Sequence, residues 1–186
     1  MDTLPIELVT LIATDTFELF TTLLRVSTIG NRLCEQYPQL IAKEKFIVVI
    51  TDNEKTITYL NGKLHSLNDQ PAIVDSNGNK LWYKYGKLHR RDLPAAEYTN
   101  GDKEWYWHDE LHRDCDLPAV IRANDSFWYW HGKLHRENDQ PAIISAEGVK
   151  YWCWNNGLHR DCDLPAIEFA NGKKCWYKHS VRYFID

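Results

Sequence analysis

Beyond residue 57 the apolar and polar positions of this chain return every 23 or 24 residues. An aromatic stretch such as Leu81–Tyr85 is followed by the phrase Gly-Lys-Leu-His, then by Asp-x-Pro-Ala, then by a shorter apolar stretch such as Ala95–Tyr98. The repeated histidines are His65, His89, His112, His135 and His159, spaced 24, 23, 23 and 24. Trp82, Trp105, Trp128, Trp152 and Trp176 run in step with them. A period of this length means one small supersecondary unit stacked many times. Within each unit the aromatic stretch predicts a strand, the proline fixes a turn, and the stretch after Pro-Ala predicts a second strand. Asn77-Gly78, Asn100-Gly101, Glu147-Gly148 and Asn171-Gly172 are tight-turn signals between units. The expected fold is mainly β: an elongated single-layer antiparallel sheet of stacked β-hairpins, advancing ~10 Å per unit, with a short N-terminal helical segment.

Alternation along a strand sorts side chains onto two faces. It places Trp105 with Trp107 against Tyr106 and His108, Trp128 with Trp130 against Tyr129 and His131, and Trp152 with Trp154 against Cys153. Both faces are then aromatic, and a single layer has no second sheet to cover them. The connection from Gly-Lys-Leu-His to Pro must fold over part of one face. Trp105, Trp107, Trp128, Trp130, Trp152 and Trp154 are therefore the candidate partner-binding face, and the competing assignment for the same six is the core.

Residues 1–46 have a different pattern. Leu4, Leu8, Leu11 and Ile12 recur at helical spacing, with Thr3 as a cap and Pro5 in the first turn. Further helices are expected over about Phe17–Leu24, from Ser27 to Gln36, and after Pro38. Such a segment is marginal alone below ~70 residues and would lean on the array. Residues 47–57, which include the end of the apolar run Phe46–Ile50, form the expected transition strand. The array itself is assigned to 58–186, five repeats and a partial sixth.

Composition narrows the functions. Of 186 residues 13% are aromatic, including eight Trp and ten Tyr, which argues against a disordered chain. Lys and Arg total 22 against 26 Asp and Glu. Residues 52–186 hold 18 against 20 and residues 1–51 hold 4 against 6, so each part is −2. A nucleic-acid binder needs a basic excess, and an anionic membrane attracts in proportion to basic residues, so neither partner is expected. Arg90, Arg91, Arg113, Arg136 and Arg160 follow the histidines and are expected to pair with carboxylates of their own repeats. No bilayer-length apolar run or signal-peptide pattern occurs. Together with five cysteines, an odd number, this suggests free thiols in the cytoplasm or nucleus.

Histidine and aspartate recur together as His65/Asp69, His89/Asp92, His112/Asp116, His135/Asp139 and His159/Asp163. Such a pair can serve acid–base catalysis. Catalysis needs one good site, however, and a pair repeated five times is what a repeated turn needs. The expectation is a His–Asp–Arg network pinning each connection, with no catalytic residues. His112-Arg-Asp-Cys115 and His159-Arg-Asp-Cys162 have ligand-like spacing. Equivalent histidines ~10 Å apart cannot share an ion whose ligands lie ~2 Å away, so no metal is expected. No Walker-type or dinucleotide-type glycine loop implies a cofactor.

Two family resemblances rest on these residues. The 58–186 array, with His-Arg-x-x-Asp-x-Pro-Ala, resembles MORN repeats in a variant form, and Tyr83, Tyr106 and Tyr129 fall where that family places its inward aromatic. Asp109 and Asn156 depart from it at glycine positions, and one residue is missing before Pro94. Leu4-Pro5-Ile6-Glu7-Leu8, then Ile12, Asp15, Leu19, Leu23 and Val26-Ser27, looks like an F-box. That resemblance implies docking to a Skp1-like adaptor through Leu4, Pro5, Leu8, Ile12 and Val26. It departs at Ile29-Gly30-Asn31, where a Trp is common. Capping the array is the other role open to this segment, and the two are compatible. The combination is similar to proteins encoded in many copies by large DNA viruses of amoebae.

The expected function is a non-enzymatic protein–protein interaction module, in its sharpest form a viral F-box-like adaptor recruiting host proteins to a ubiquitin ligase. The alternative is a scaffold that self-associates or sits at a membrane or virion. A homodimer is expected through the aromatic face or the apolar last strand Val181-Arg-Tyr-Phe-Ile185.

Overall fold

The computed structural model describes residues 8–12, 47–51 and 55–183. Contacts divide the chain into two compact units, Met1–Lys87 and Leu88–Asp186. Both are built from short β-strands, and no helix occurs among the described residues.

In the first unit, Leu8–Ile12 is a strand that pairs parallel with Ile47–Thr51. This corrects the helix expected there. Val9, Thr10 and Ile12 are β-branched and stiff at χ1, which lowers their helix propensity. A facing strand of Ile-Val-Val-Ile-Thr offers every one of the five positions a partner, and such pairing overrides a weak periodicity. The other expected helices lie outside the described residues, as do Leu4, Pro5 and Val26 of the F-box-like set. Ile47–Thr51 continues antiparallel to Thr56–Leu60, which pairs next with Ile73–Val74 and turns through Asn61 and Gly62 onto Lys63–Leu64. The expected transition strand is thus two strands, the second reaching into the first repeat. Ile57 and Leu60 are buried there.

In the second unit, the main sheet runs Ala96–Glu97, Lys103–Glu104, Val120–Arg122, Asp125–Phe127, Ile143–Ile144, Lys150–Tyr151, Ile167–Glu168, Lys174–Lys178 and Val181–Tyr183. Each strand is antiparallel to the next. Glycines at positive φ close its turns at Gly101, Gly148 and Gly172. Beside this sheet stands a column of two-residue hairpins: Tyr106–Trp107 with Glu110–Leu111, Tyr129–Trp130 with Lys133–Leu134, and Cys153–Trp154 with Gly157–Leu158. Their tips, His108-Asp109, His131-Gly132 and Asn155-Asn156, have both residues at positive φ, as a primed hairpin turn requires. Successive hairpins are joined by N–H bonds from Gly132 to Leu111 O, Asn156 to Leu134 O and Ser180 to Leu158 O, 2.8–3.1 Å long.

Each aromatic stretch, expected to be one strand, therefore breaks at its first tryptophan. Trp105, Trp128 and Trp152 donate their backbone N–H to Ala119, Ala142 and Ala166 in the main sheet at 2.8 Å. Their carbonyls accept from His112, His135 and His159 in the hairpin column at 3.0 Å. One residue serves two ladders, and the chain changes direction there. The alanines are wholly excluded from solvent, with Val120 and Ile167 close to it. Together with the three tryptophans they make the core of this unit, and burying rings of ~150–250 Å² is its main stabilising contribution.

Candidate binding surface

The break at the first tryptophan separates the six candidate rings. Trp105, Trp128 and Trp152 are buried at 6–9% exposure, whereas Trp107, Trp130 and Trp154 are 42%, 53% and 50% exposed. The shared face expected from alternation does not form, because strict alternation fails where the chain turns from one ladder to the other.

The buried rings are held by several contacts. An arginine guanidinium lies over each: Arg113 on Trp105 at 3.8 Å, Arg136 on Trp128 at 3.9 Å, Arg160 on Trp152 at 3.8 Å. Each arginine also donates from Nη1 to the carbonyl of the repeat proline, at Pro118, Pro141 and Pro165 (3.2–3.3 Å). The Trp128 and Trp152 indoles donate to Asp116 O and Asp139 O of the preceding connection, at 3.0 and 2.9 Å. In the first unit Trp82 donates likewise to Asp69 O at 2.9 Å.

The exposed rings stand on histidines. His89 lies 4.5 Å from Trp107, His112 4.6 Å from Trp130 and His135 4.5 Å from Trp154, all steeply inclined. These three histidines are buried. His112 stacks on His131 at 4.4 Å, and His89 on His108 likewise. His112 Nδ1 accepts the His131 N–H at 3.4 Å, which leaves the proton on Nε2, 3.1 Å from Asp114. His159 repeats the arrangement with His179 and Asp161. In the first unit His65 accepts the Tyr85 N–H at 3.1 Å and lies against that exposed ring.

The histidine partners correct the expected pairs. In the second unit the carboxylate on His112, His135 and His159 is two residues on, at Asp114, Glu137 and Asp161. Asp116 and Asp139 instead take the arginine of the following repeat. Arg136 Nε and Nη2 meet Asp116 at 2.7 and 2.8 Å, and Arg160 meets Asp139 at 2.8 and 2.8 Å. These hydrogen bonds hold both carboxyls below the usual aspartate range. Of the arginines expected to pair within their own repeat, Arg90 does so with Glu97 and Arg91 with Asp92, and Arg160 also reaches Glu168. The network thus stitches repeat to repeat as well as pinning loops. The glycine-position departures join in: Asp109 accepts from Leu88 N–H and Asn156 from Leu134 N–H, both at 2.7 Å.

A half-open groove of about 350 Å³ lies between the last two full connections, lined by Trp154, Glu137, His159, Asp161, Cys162 and Leu164 among others. Among the described residues no three His, Cys, Asp or Glu side chains gather to hold a metal. Burial pushes the Cys153 thiol up to about 11, so it stays protonated at neutral pH.

One cluster escaped the pattern reading. Glu104 is 3% exposed and takes hydrogen bonds from Tyr106 (2.8 Å), Tyr98 (3.2 Å) and Arg122. Burial and this carboxylate push both phenols up. The signal was present, since the equivalent positions are Leu81, Phe127, Tyr151 and Cys175.

No protein-family profile matches this chain, and no curated protein matches it. Among the described residues no helix is long and apolar enough to cross a membrane.

Proposed function

We propose that the protein is a non-enzymatic protein–protein interaction module that binds its partner through the row Trp107, Trp130 and Trp154. The observation that carries this reading is the placement of three half-exposed tryptophans at equivalent positions of successive repeats, each braced by a buried histidine. Aligned exposed rings mark interaction surfaces, and tryptophan is enriched at binding hot spots. Rings already held in place lose little side-chain entropy on binding. The F-box-like resemblance of residues 1–46 adds a second role, docking to a Skp1-like adaptor so that the bound partner is delivered to a ubiquitin ligase.

The test is affinity capture with the full chain, with the triple variant W107A/W130A/W154A, and with Lys150→Ala as an exposed control on the main sheet. Partners held by the first and third baits but lost from the second are expected. An unchanged set of captured proteins would remove the row from the binding surface. Purified Skp1 that ignores the folded chain would remove the adaptor role alone.

A second reading, self-association, is favoured by the strand Val181–Tyr183. Among the described residues it pairs on one side only, and Val181 is 68% exposed. An open strand edge of this kind invites pairing with another chain. A monomeric mass by sedimentation at roughly 50 µM, where mass action favours assembly, would rule against it.

A further inference from the structure

The second connection of the array is one residue shorter than the others, with five steps from His89 to Pro94 against six from His112 to Pro118 and from His135 to Pro141. Full-length connections carry two consecutive residues at positive φ, Cys115-Asp116, Asn138-Asp139 and Cys162-Asp163, whereas the short one has Asp92 alone. Its turn tightens accordingly. Leu93 N–H bonds to Arg91 O two residues back, where Leu117, Gln140 and Leu164 reach three residues back.

The shortening withdraws two acceptors. In the next repeats the connection supplies an aspartate carbonyl to the following indole and an aspartate carboxylate to the following arginine. Trp105 and Arg113 are the side chains that should receive them from the short connection. The Trp105 indole N–H is buried without a hydrogen-bond partner. Arg113 keeps its stack on Trp105 and its bond to Pro118 O. Among the described residues it has no carboxylate partner, and the Asp92 side chain is 88% exposed, near Arg91 rather than Arg113. Arg113 is also the arginine whose guanidinium is made less basic by burial, the opposite of Arg160, which its carboxylates make more basic.

We propose that the Nε–Nη2 edge of Arg113 is a socket for a carboxylate brought by a ligand, filling the place that Asp116 and Asp139 occupy on Arg136 and Arg160. The molecule shows the fit twice over, since both filled sites are two-point contacts of 2.7–2.8 Å. The filled sites also show that the position opens to solvent, because Asp116 and Asp139 are each 54% exposed while seated. A planar, two-oxygen anion matches the guanidinium fork. This site is separate from the tryptophan row and does not rest on it.

The test uses the full-length, isotope-labelled chain and follows the side-chain Nε–H signals of Arg113, Arg136 and Arg160 and the indole signal of Trp105. Two probes are titrated at constant ionic strength: sodium acetate, and the capped tripeptide acetyl-Gly-Asp-Gly-amide, whose only charge is a side-chain carboxylate. The expected result is a saturable shift at Arg113, while Arg136 and Arg160, already filled, stay put. Tighter binding of the tripeptide assigns the socket to an acidic side chain, and equal binding assigns it to free carboxylates. A variant with Asn inserted between Arg91 and Asp92 restores the six-step connection and lets Asp92 fill the socket from within. It should weaken probe binding at least about tenfold, the effect of losing a charge-assisted contact. It should also move the Trp105 indole signal toward those of Trp128 and Trp152 without any probe. Equal shifts at all three arginines, no saturation at Arg113, or unchanged binding after the insertion would overturn the proposal.

Discussion

Trp128 and Trp130 stand two residues apart and have opposite fates. Trp128 is 9% exposed, with a guanidinium on its face and its N–H donated to a neighbouring connection. Trp130 is 53% exposed and lies against two histidine rings, the buried His112 and the exposed His131. The same contrast in burial and in the guanidinium stack separates Trp105 from Trp107 and Trp152 from Trp154. What differs is backbone partnership. The first ring of each pair hangs from the residue shared between two ladders, and the second hangs from the hairpin column alone. The repeat thus keeps one tryptophan for its core and presents the other.

The sharpest way to break that contrast is to remove each ring in turn. Trp128→Ala removes a buried ring, leaves a cavity and strips Arg136 of its platform, and should cost about 3–5 kcal/mol. Trp130→Ala removes a mostly solvated ring and should stay within about 1 kcal/mol of the parent. Urea denaturation of the two variants checks this. Equal losses would mean that the outer row is also core, and the proposed binding surface would lose its basis.

A smaller effect sharpens the comparison on the main sheet. Four repeats fill one strand position with Leu81, Phe127, Tyr151 or Cys175, and the remaining repeat fills it with Glu104. Glu104→Gln keeps the shape but removes the charge that faces Arg122 and accepts from two phenols. It should cost about 1–3 kcal/mol, the usual consequence of leaving buried polar groups poorly matched. The titration of Tyr106, pushed up by burial and by this carboxylate, should move back toward the ordinary phenol range in an ultraviolet pH titration. A stability unchanged by the substitution would show that the cluster is incidental to packing.

The repeat, its turn glycines and the strand that follows its Pro-Ala step were legible in the sequence, because each follows from local chemistry that recurs in register. The split between inner and outer tryptophans was not, since alternation counts residues and cannot tell when Trp105 exchanges one hydrogen-bonding neighbour for another. The pairs that Arg136 and Arg160 make across repeats were missed for a related reason. Asp116 is close to Arg113 in sequence, but stacking brings Arg136 to it, and stacking offset is a tertiary quantity. Leu8–Ile12 satisfies the helical spacing and an apolar strand equally well, and the parallel partner at Ile47–Thr51 decides between them. The short second connection was visible as a missing residue, but its consequence for Trp105 and Arg113 needed the filled sites beside it.

The repeat-to-repeat pairs supply the smallest expected effect and the one that depends on pH. The hydrogen bond from Arg160 is the main reason the Asp139 carboxyl sits below its ordinary value. The native state then binds fewer protons than the unfolded chain just below pH 4, so this group makes stability rise with pH there. Its contribution is complete above the unfolded aspartate value of about 3.9 and is lost as pH falls through the lower folded value. Because the Asp139 side chain is 54% exposed, solvent screens the pair, and Asp139→Asn should cost about 0.2–1 kcal/mol at pH 7. The loss should shrink toward zero as pH falls through the lowered folded value and the parent carboxyl becomes protonated, and should also shrink in high salt. Denaturation of parent and variant across that pH range reads the difference directly. A gap that stayed constant with pH would mean that Asp139 holds the next repeat through its carbonyl bond to Trp152 and not through its charge.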